Sequence, residues 1–273
     1  MKGLCDSHVH SHISHDGAGR VTDLAEAAIR RRMAAFAVTD HCDIEYYTER
    51  RQAELIAASA AETEQAAKEY DGRIGILTGV EIGEGIWNLS YTRDILSRHD
   101  YDVVLASVHA VRYKDMTAPF SGIDFRDVPQ GVLDEYMARY FDDVLETAET
   151  VPCDVMPHLG NPLKYITGVY GRAVDLRRFA DRITGILERI IEKEIALEIN
   201  TSCVSAPYGD FMPETWIAAR YKALGGRLVT IASDAHRAEH IGRDLDAAVD
   251  LLKTLGFSQY YYYKKRKPVA RPL

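Results

Sequence analysis

Seven short apolar runs recur along the chain, and each ends on or beside a polar side chain able to bind a metal ion. They cover residues 3–7, 36–39, 74–82, 103–108, 154–156, 195–199 and 228–232. The runs are continuous rather than alternating, as strands covered on both faces should be. Helical stretches separate them, at 23–32, 49–69, 91–99, 132–149, 175–193, 214–224 and 241–255. In the first, Leu24, Ala28 and Ile29 recur at helical spacing, and Thr22 is placed to cap it. Glycines close several of the others, as Asp71-Gly72, Gly225-Gly226 and Gly256 do. Strand and helix in strict alternation predict a parallel α/β sheet with right-handed crossovers. An open doubly wound sheet and a closed barrel both satisfy this. The polar groups follow every strand, not one switch point, and this favours the barrel.

Parallel strands in a barrel end on one face. That face would gather His8 and His10 from the first strand, Asp40 and His41 from the second, and Glu81 from the third. It would add His109, His158 and Asn200 from the next three, and Asp234 with His236 from the last. His8 and His10 stand two apart, so an extended backbone points both to one side. Six of the 10 histidines occupy these positions. Singly, each has an ordinary explanation: Asp40 and Asp234 as helix caps, Asn200 as a turn residue, any histidine as a packed or surface side chain. Glu81 lies between Val80 and Ile82, where a buried carboxylate needs compensation. Convergent imidazoles and carboxylates without cysteine pairs suit borderline or hard divalent ions such as Zn, Mn or Fe. So many donors suffice for two or three ions, which would clamp the oxygens of a phosphoryl group and activate water.

A length of 273 residues suits one such barrel, and we read 1–273 as a single domain with residues 257–273 as an outer strand or packed arm. The net charge of -8 gives no overall attraction to nucleic acid or an anionic membrane. An anionic substrate must therefore be drawn by bound metals or local cations, for which Arg237, Arg112, Lys114, Lys164 and Arg172 are candidates. Cys5, Cys42, Cys153 and Cys203 form no C-x-x-C pair, which fits a reducing cytosol and a cytoplasmic location. Cys42, beside His41, is read as a packed thiol rather than a soft ligand. No apolar signal core and no membrane-length apolar run is present in the sequence. The basic run 264–267 is read as a solvated tail, and His12, His99 and His240 as structural or solvent-exposed. Two long loops, 110–131 and 159–171, are the expected specificity elements.

Seven stretches together resemble one known family. They are Asp6-Ser7-His8-Val9-His10, Thr39-Asp40-His41-Cys42-Asp43, Gly79-Val80-Glu81-Ile82-Gly83, Ala106-Ser107-Val108-His109, His158-Leu159-Gly160, Glu198-Ile199-Asn200-Thr201-Ser202 and Ala232-Ser233-Asp234-Ala235-His236. The chain is similar in these to the polymerase-and-histidinol-phosphatase (PHP) superfamily, in particular its histidinol-phosphatase branch. The resemblance implies a distorted (β/α)7 TIM-like barrel of PHP type with a trinuclear metal centre. By position, His8, His10, Glu81 and Asp234 would hold one ion, and Glu81, His109 and His158 a second. His41, His236 and a group from the first loop would hold the third. Members of the branch often carry a histidine eight positions after the first; here that position is Asp16, with His15 before it, and Asp16 is taken as the ligand. Glu81, Asp40, His41 and Asp234 are the expected catalytic groups. The implied reaction is metal-dependent hydrolysis of a small phosphomonoester, with L-histidinol phosphate as leading substrate and inorganic phosphate as product. A PHP-type phosphodiesterase or exonuclease, and a non-catalytic metal-stabilised binding module, are the alternatives.

Overall fold

The structure, a computed structural model, describes residues 3–273. Its elements in chain order begin with β1 (Cys5–Val9), α1 (Val21–Arg30), β2 (Ala35–Val38), β3 (His41–Asp43), α2 (Gln52–Glu69) and β4 (Gly75–Gly83). Then come α3 (Leu89–Arg98), β5 (Val103–Ser107), α4 (Gln130–Thr150), β6 (Val155–Met156), α5 (Pro162–Ile166) and α6 (Ala180–Glu192). The chain ends with β7 (Ala196–Asn200), α7 (Thr215–Ala223), β8 (Val229–Ala232), α8 (Leu245–Thr254), β9 (Gln259–Lys264) and β10 (Lys267–Pro272).

Seven parallel strands pair in the order β1-β2-β4-β5-β6-β7-β8, with short β3 extending the β4 edge beyond β2. The sheet curls into a nearly closed barrel with helices outside, the expected fold class. Its seam lies between β8 and β1. There one bridge joins Val9 to Ala235, and the His10 N–H donates to the Ala235 carbonyl at 2.8 Å. Side chains complete the closure: the Asp6 carboxylate accepts from the Ser233 N–H, the Ser233 hydroxyl and the Gly242 N–H. The helices bury one stripe each against the barrel. On α6 this is Ile183, Ile186, Leu187 and Ile190, all fully buried and at helical spacing. Truncating one of them to alanine would cost about 2–5 kcal/mol. Among the described residues, no helix is long and apolar enough to cross a membrane.

The barrel floor is plugged by the C-terminal arm. β9 and β10 form an antiparallel hairpin. Its Tyr263 packs with Ala37, Leu77, Val103, Leu105, Val155 and Ala196, and the Tyr260 hydroxyl accepts the Cys5 N–H at 2.9 Å. The basic run is therefore part of an ordered hairpin rather than a loose tail, although Lys264, Lys265 and Lys267 remain exposed. Lys265 and Arg266 make the hairpin turn with φ of 51° and 59°, and the Arg266 guanidinium is paired with Asp154. Other expectations shift locally. Arg20, not Thr22, precedes the first helix, and its N–H is taken by the Asp23 carboxylate. The stretch 175–193 is a 3-10 turn followed by α6. The last helix begins at Leu245 rather than 241, because 238–240 forms a separate turn.

Asp143 on α4 is 1% exposed. Burial, opposed mainly by Arg139, pushes its carboxyl up to about 6. A carboxyl whose folded pKa exceeds its unfolded value of about 4 binds more protons when folded, so its contribution to stability falls as pH rises from about 4 to 6. Asp143→Asn is expected to be more stable than wild type at pH 7 and to lose that advantage near pH 4. Chemical unfolding at the two pH values checks this; an equal difference at both would refute it.

Candidate metal centre

Glu81 sits near the end of β4, a strand that is fully buried from Val80 to Gly83. Its carboxylate is completely inaccessible and ringed by imidazoles. His158 Nε2 lies 2.7 Å and His109 Nε2 3.2 Å from Oε1. His41 Nδ1 lies 2.9 Å, His8 Nε2 3.4 Å and His10 Nε2 3.6 Å from Oε2. The Nε2 atoms of His8 and His10 face each other at 2.9 Å, and Asp234 Oδ1 is 3.6 and 3.3 Å from them. At the mouth, Asp16 reaches His41 Nε2 at 3.5 Å and His236 Nε2 at 3.3 Å. His15 also lines the cleft, its ring 5.4 Å from that of His41, but it falls in no set of converging donor atoms.

These donors fit divalent cations. Glu81 Oε2 and His41 Nδ1 are buried and close, yet neither makes an aligned hydrogen bond. Their lone pairs converge on shared space instead of on each other. Donor atoms of His8–Glu81–His158, His8–His10–Asp234, His41–Glu81–His109 and His10–His41–His236 each lie within 4.8 Å of one another. The electrostatics agree. Burial alone would push the Glu81 carboxyl up, but His109, His8 and His41 hold it well below its usual range. Asp234 is likewise held down against burial, chiefly by His8. Burial pulls His41 down, but Glu81 more than reverses this, to about 9. His8 is carried upward against burial by Glu198 and Glu81. His10 moves the other way, lowered by burial and by His236 and His41. Ionised carboxylates amid imidazoles form a field that a divalent cation would neutralise.

A second layer of carboxylates holds the imidazoles. Glu198, in β7 and wholly buried, accepts from His8 Nδ1 at 3.0 Å, the His158 N–H at 3.2 Å and Asn200 Nδ2 at 2.8 Å. Asp43 lies 3.5 Å from His109 Nδ1, and Glu84 accepts the His109 and Ala110 N–H groups. A Cβ at Gly83 would lie 2.5 Å from Asp43 Oδ1, so only glycine allows this approach. His158, Asp234 and Glu84 all have positive φ, at 30°, 52° and 51°. Such left-handed backbone is costly for non-glycine residues and gathers at functional sites.

The structure thus brings together His8, His10, Asp16, His41, Glu81, His109, His158, Asp234 and His236. Asp40 stands apart from the expected catalytic set. It is fully buried, its carboxylate taken up by the Ser11 N–H and the hydroxyls of Ser11, Ser14 and Ser59 at 2.6–2.7 Å. It clamps the loop that carries Asp16. Asn200 closes a turn through Ser202 and bonds Glu198. The Cys42 thiol is buried and pushed upward by desolvation, consistent with packing. Of the five cations, Lys164 lines the cleft. Arg112 stacks over Trp87, Lys114 pairs with Glu135, and Arg172 donates to the carbonyls of Phe125, Arg126 and Val128. Arg237 borders a neighbouring chamber. Glu198, Asp43 and Glu84 had no assigned role in the sequence. Glu198 was accessible to the Glu81 argument, being a carboxylate between Leu197 and Ile199 in a buried strand.

The cleft has a volume of about 290 Å³, and its outer wall includes Tyr46, Phe120 and Tyr165. Residues 6–202 match the PHP domain family. The probable histidinol-phosphatase of Thermotoga maritima is 28% identical over 256 residues, 93% of each chain. The histidinol-phosphatase of Lactococcus lactis subsp. lactis is 26% identical over 267 residues, 95% of this chain and 93% of that one. A solved structure of histidinol phosphate phosphatase from Lactococcus lactis subsp. lactis, complexed with Zn, L-histidinol and phosphate, is similar with a TM-score of 0.76. Its identity is 23%, with 98% of this chain and 100% of that one covered. That likeness shows the fold.

Carboxylates that orient metal-binding imidazoles typically contribute 10–100-fold to metal affinity. Glu198→Ala is therefore expected to weaken divalent-metal binding by about 10–100-fold. Chelator competition would read this directly, and unchanged affinity in a folded variant would refute it.

Proposed function

This chain belongs to the PHP domain family, and we propose that it hydrolyses a small phosphomonoester, with L-histidinol phosphate as the substrate. The observation that carries the reading is the buried Glu81 carboxylate shared by five imidazoles, three of which, His41, His109 and His158, line an open cleft. We assign His8, His10, Glu81 and Asp234 to one ion, Glu81, His109 and His158 to a second, and His41, His236 and Asp16 to a third. Zn, Mn and Fe suit this donor set. When bound, such ions supply Lewis-acid charge to the phosphoryl oxygens and lower the pKa of water.

The chain's own residues do the rest. Lys164 stands at the rim of the same cleft, its ammonium held strongly protonated by Asp234 against the pull of burial. It offers charge-assisted hydrogen bonds to a phosphoryl oxygen. The outer wall is suited to an amino-alcohol leaving group. Tyr46, Phe120 and Tyr165 line it, with the Arg50 guanidinium stacked over the Tyr46 ring, and give an imidazole apolar and aromatic surface. Asp16, Asp43 and Glu84 line the same cleft together with Arg50. Hydrolysis moves a water oxygen onto phosphorus, and the alcohol leaves with its own oxygen and a proton. The relatives named histidinol-phosphatase support the choice of alcohol.

The test is phosphate release by metal-loaded protein from L-histidinol phosphate beside sugar, nucleotide and amino-alcohol phosphates. Preference for histidinol phosphate is expected, with loss on chelation and recovery with added Zn or Mn. Glu81→Ala should lower the rate by at least about a thousandfold, because the shared ligand is lost. Lys164→Gln should raise KM by roughly tenfold. No phosphate from any monoester would overturn the reading, and diester cleavage would then be measured.

A further inference from the structure

Beyond His236 the site has a second chamber. It has a volume of about 270 Å³ and shares Lys164, Asp234 and His236 with the main cleft. Its remaining lining residues are Ser202, Ser233, Arg237, His240 and Arg243. Asp234 is the one acid among the lining residues. A chain of net charge -8 thus concentrates three permanent cations, Lys164, Arg237 and Arg243, around one small space.

These guanidinium groups differ from those of Arg172 and Arg112. Arg172 is occupied by backbone carbonyls and Arg112 by an indole ring. Among the described residues, the side chains of Arg237 and Arg243 make no hydrogen bond or ion pair. Their field is felt by His240. Burial first, then Arg243, with Arg237 and Arg31 adding and Glu239 opposing, holds its imidazole below the ordinary value. Uncompensated guanidinium forks around a polar space are suited to a tetrahedral oxyanion. Ser202 Oγ already donates to Asn200 Oδ1 at 2.7 Å, so toward the chamber it can only accept. Monoprotonated phosphate has the one donor that such a hydroxyl requires.

We propose that this chamber is a phosphate subsite separate from the metal cluster, which takes up the product dianion through Lys164 and holds it on Arg237 and Arg243. The proposal rests on the phosphatase reading for the source of the anion. The main cleft holds aromatic and acidic groups suited to the alcohol, with Arg50 stacked on Tyr46, and the chamber holds Arg237 and Arg243. The two products would then part in different directions. Lys164 lines both spaces.

The experiment uses metal-loaded protein and inorganic phosphate. Calorimetric titration should find two phosphates per chain in the wild type and one in the Arg237→Gln/Arg243→Gln double variant, with bound metal unchanged. Product inhibition should weaken in parallel, the phosphate Ki rising about tenfold or more while KM for the ester stays within about twofold. Lys253→Gln/Lys264→Gln, at two exposed lysines, removes the same two charges, controls for net charge and should match wild type. If the double variant unfolds early, Arg237→Gln alone is read, since Arg237 is exposed. One phosphate per wild-type chain, an adventitious loss equal in the double-lysine control, or a KM rise equal to the Ki rise would each overturn the separate subsite. Calorimetry needs no turnover, so a failed phosphatase assay beside two-site binding would sink the reaction and keep the subsite.

Discussion

Everything at the open end of this barrel is arranged around one buried carboxylate. Removing an ion from water costs several kcal/mol unless partners restore what solvation gave. Glu81 meets that demand with imidazoles from β1 and its end, from β3, from just beyond β5 and from the turn after β6, so the lengths and registers of these strands are tied to it. The pairing of β1 with β2 slips between Asp6 and Val9, beside the two histidines. Such irregularities re-aim side chains at the ends of strands. His158 and Asp234 accept unfavourable φ values to face the same point. Regular secondary structure yields locally wherever the cluster requires a side chain elsewhere.

The support is graded outward. Glu198 fixes His8 and the backbone of His158 together, while Asp43 and Glu84 fix His109 from its side chain and its backbone. Asp40 gathers three serine hydroxyls and so secures the loop bearing Asp16. Each of these carboxylates accepts bonds that limit the freedom of a neighbour. Hydroxyls and backbone amides around them do the work that solvent would do for an exposed acid.

Much of this was legible in the chain. Continuous apolar runs ending in His, Asp or Glu announce parallel strands and one shared face, and Glu81 betrays itself by its apolar neighbours. The sequence was less informative wherever direction depends on tertiary context. Asp40 and His41 are adjacent, yet one faces three serines and the other Glu81; no periodicity distinguishes them. Asp16 and His15 differ only in how their loop is clamped. Arg243 lies in an ordinary helix approach, and its relation to Lys164, on a distant segment, arises only when the barrel closes. The terminal basic run is solvated but ordered, because the tyrosine-rich strand beside it buries Tyr260 and Tyr263 against the barrel, a placement that composition does not reveal.

The seam between β1 and β8 carries a further consequence. Backbone pairing there is sparse, and Asp6 and Ser233, which span it, are 227 positions apart. His8 and His10 stand on one lip of the seam, Asp234 and His236 on the other. An ion held by both lips would act as a cross-link, drawing nearly the whole chain into a ring. Closing so large a ring in advance removes on the order of 5 kcal/mol of freedom from the unfolded chain. The same atoms that shape the reaction centre would then serve as the clasp of the barrel, and catalytic occupancy and global cohesion would be lost together.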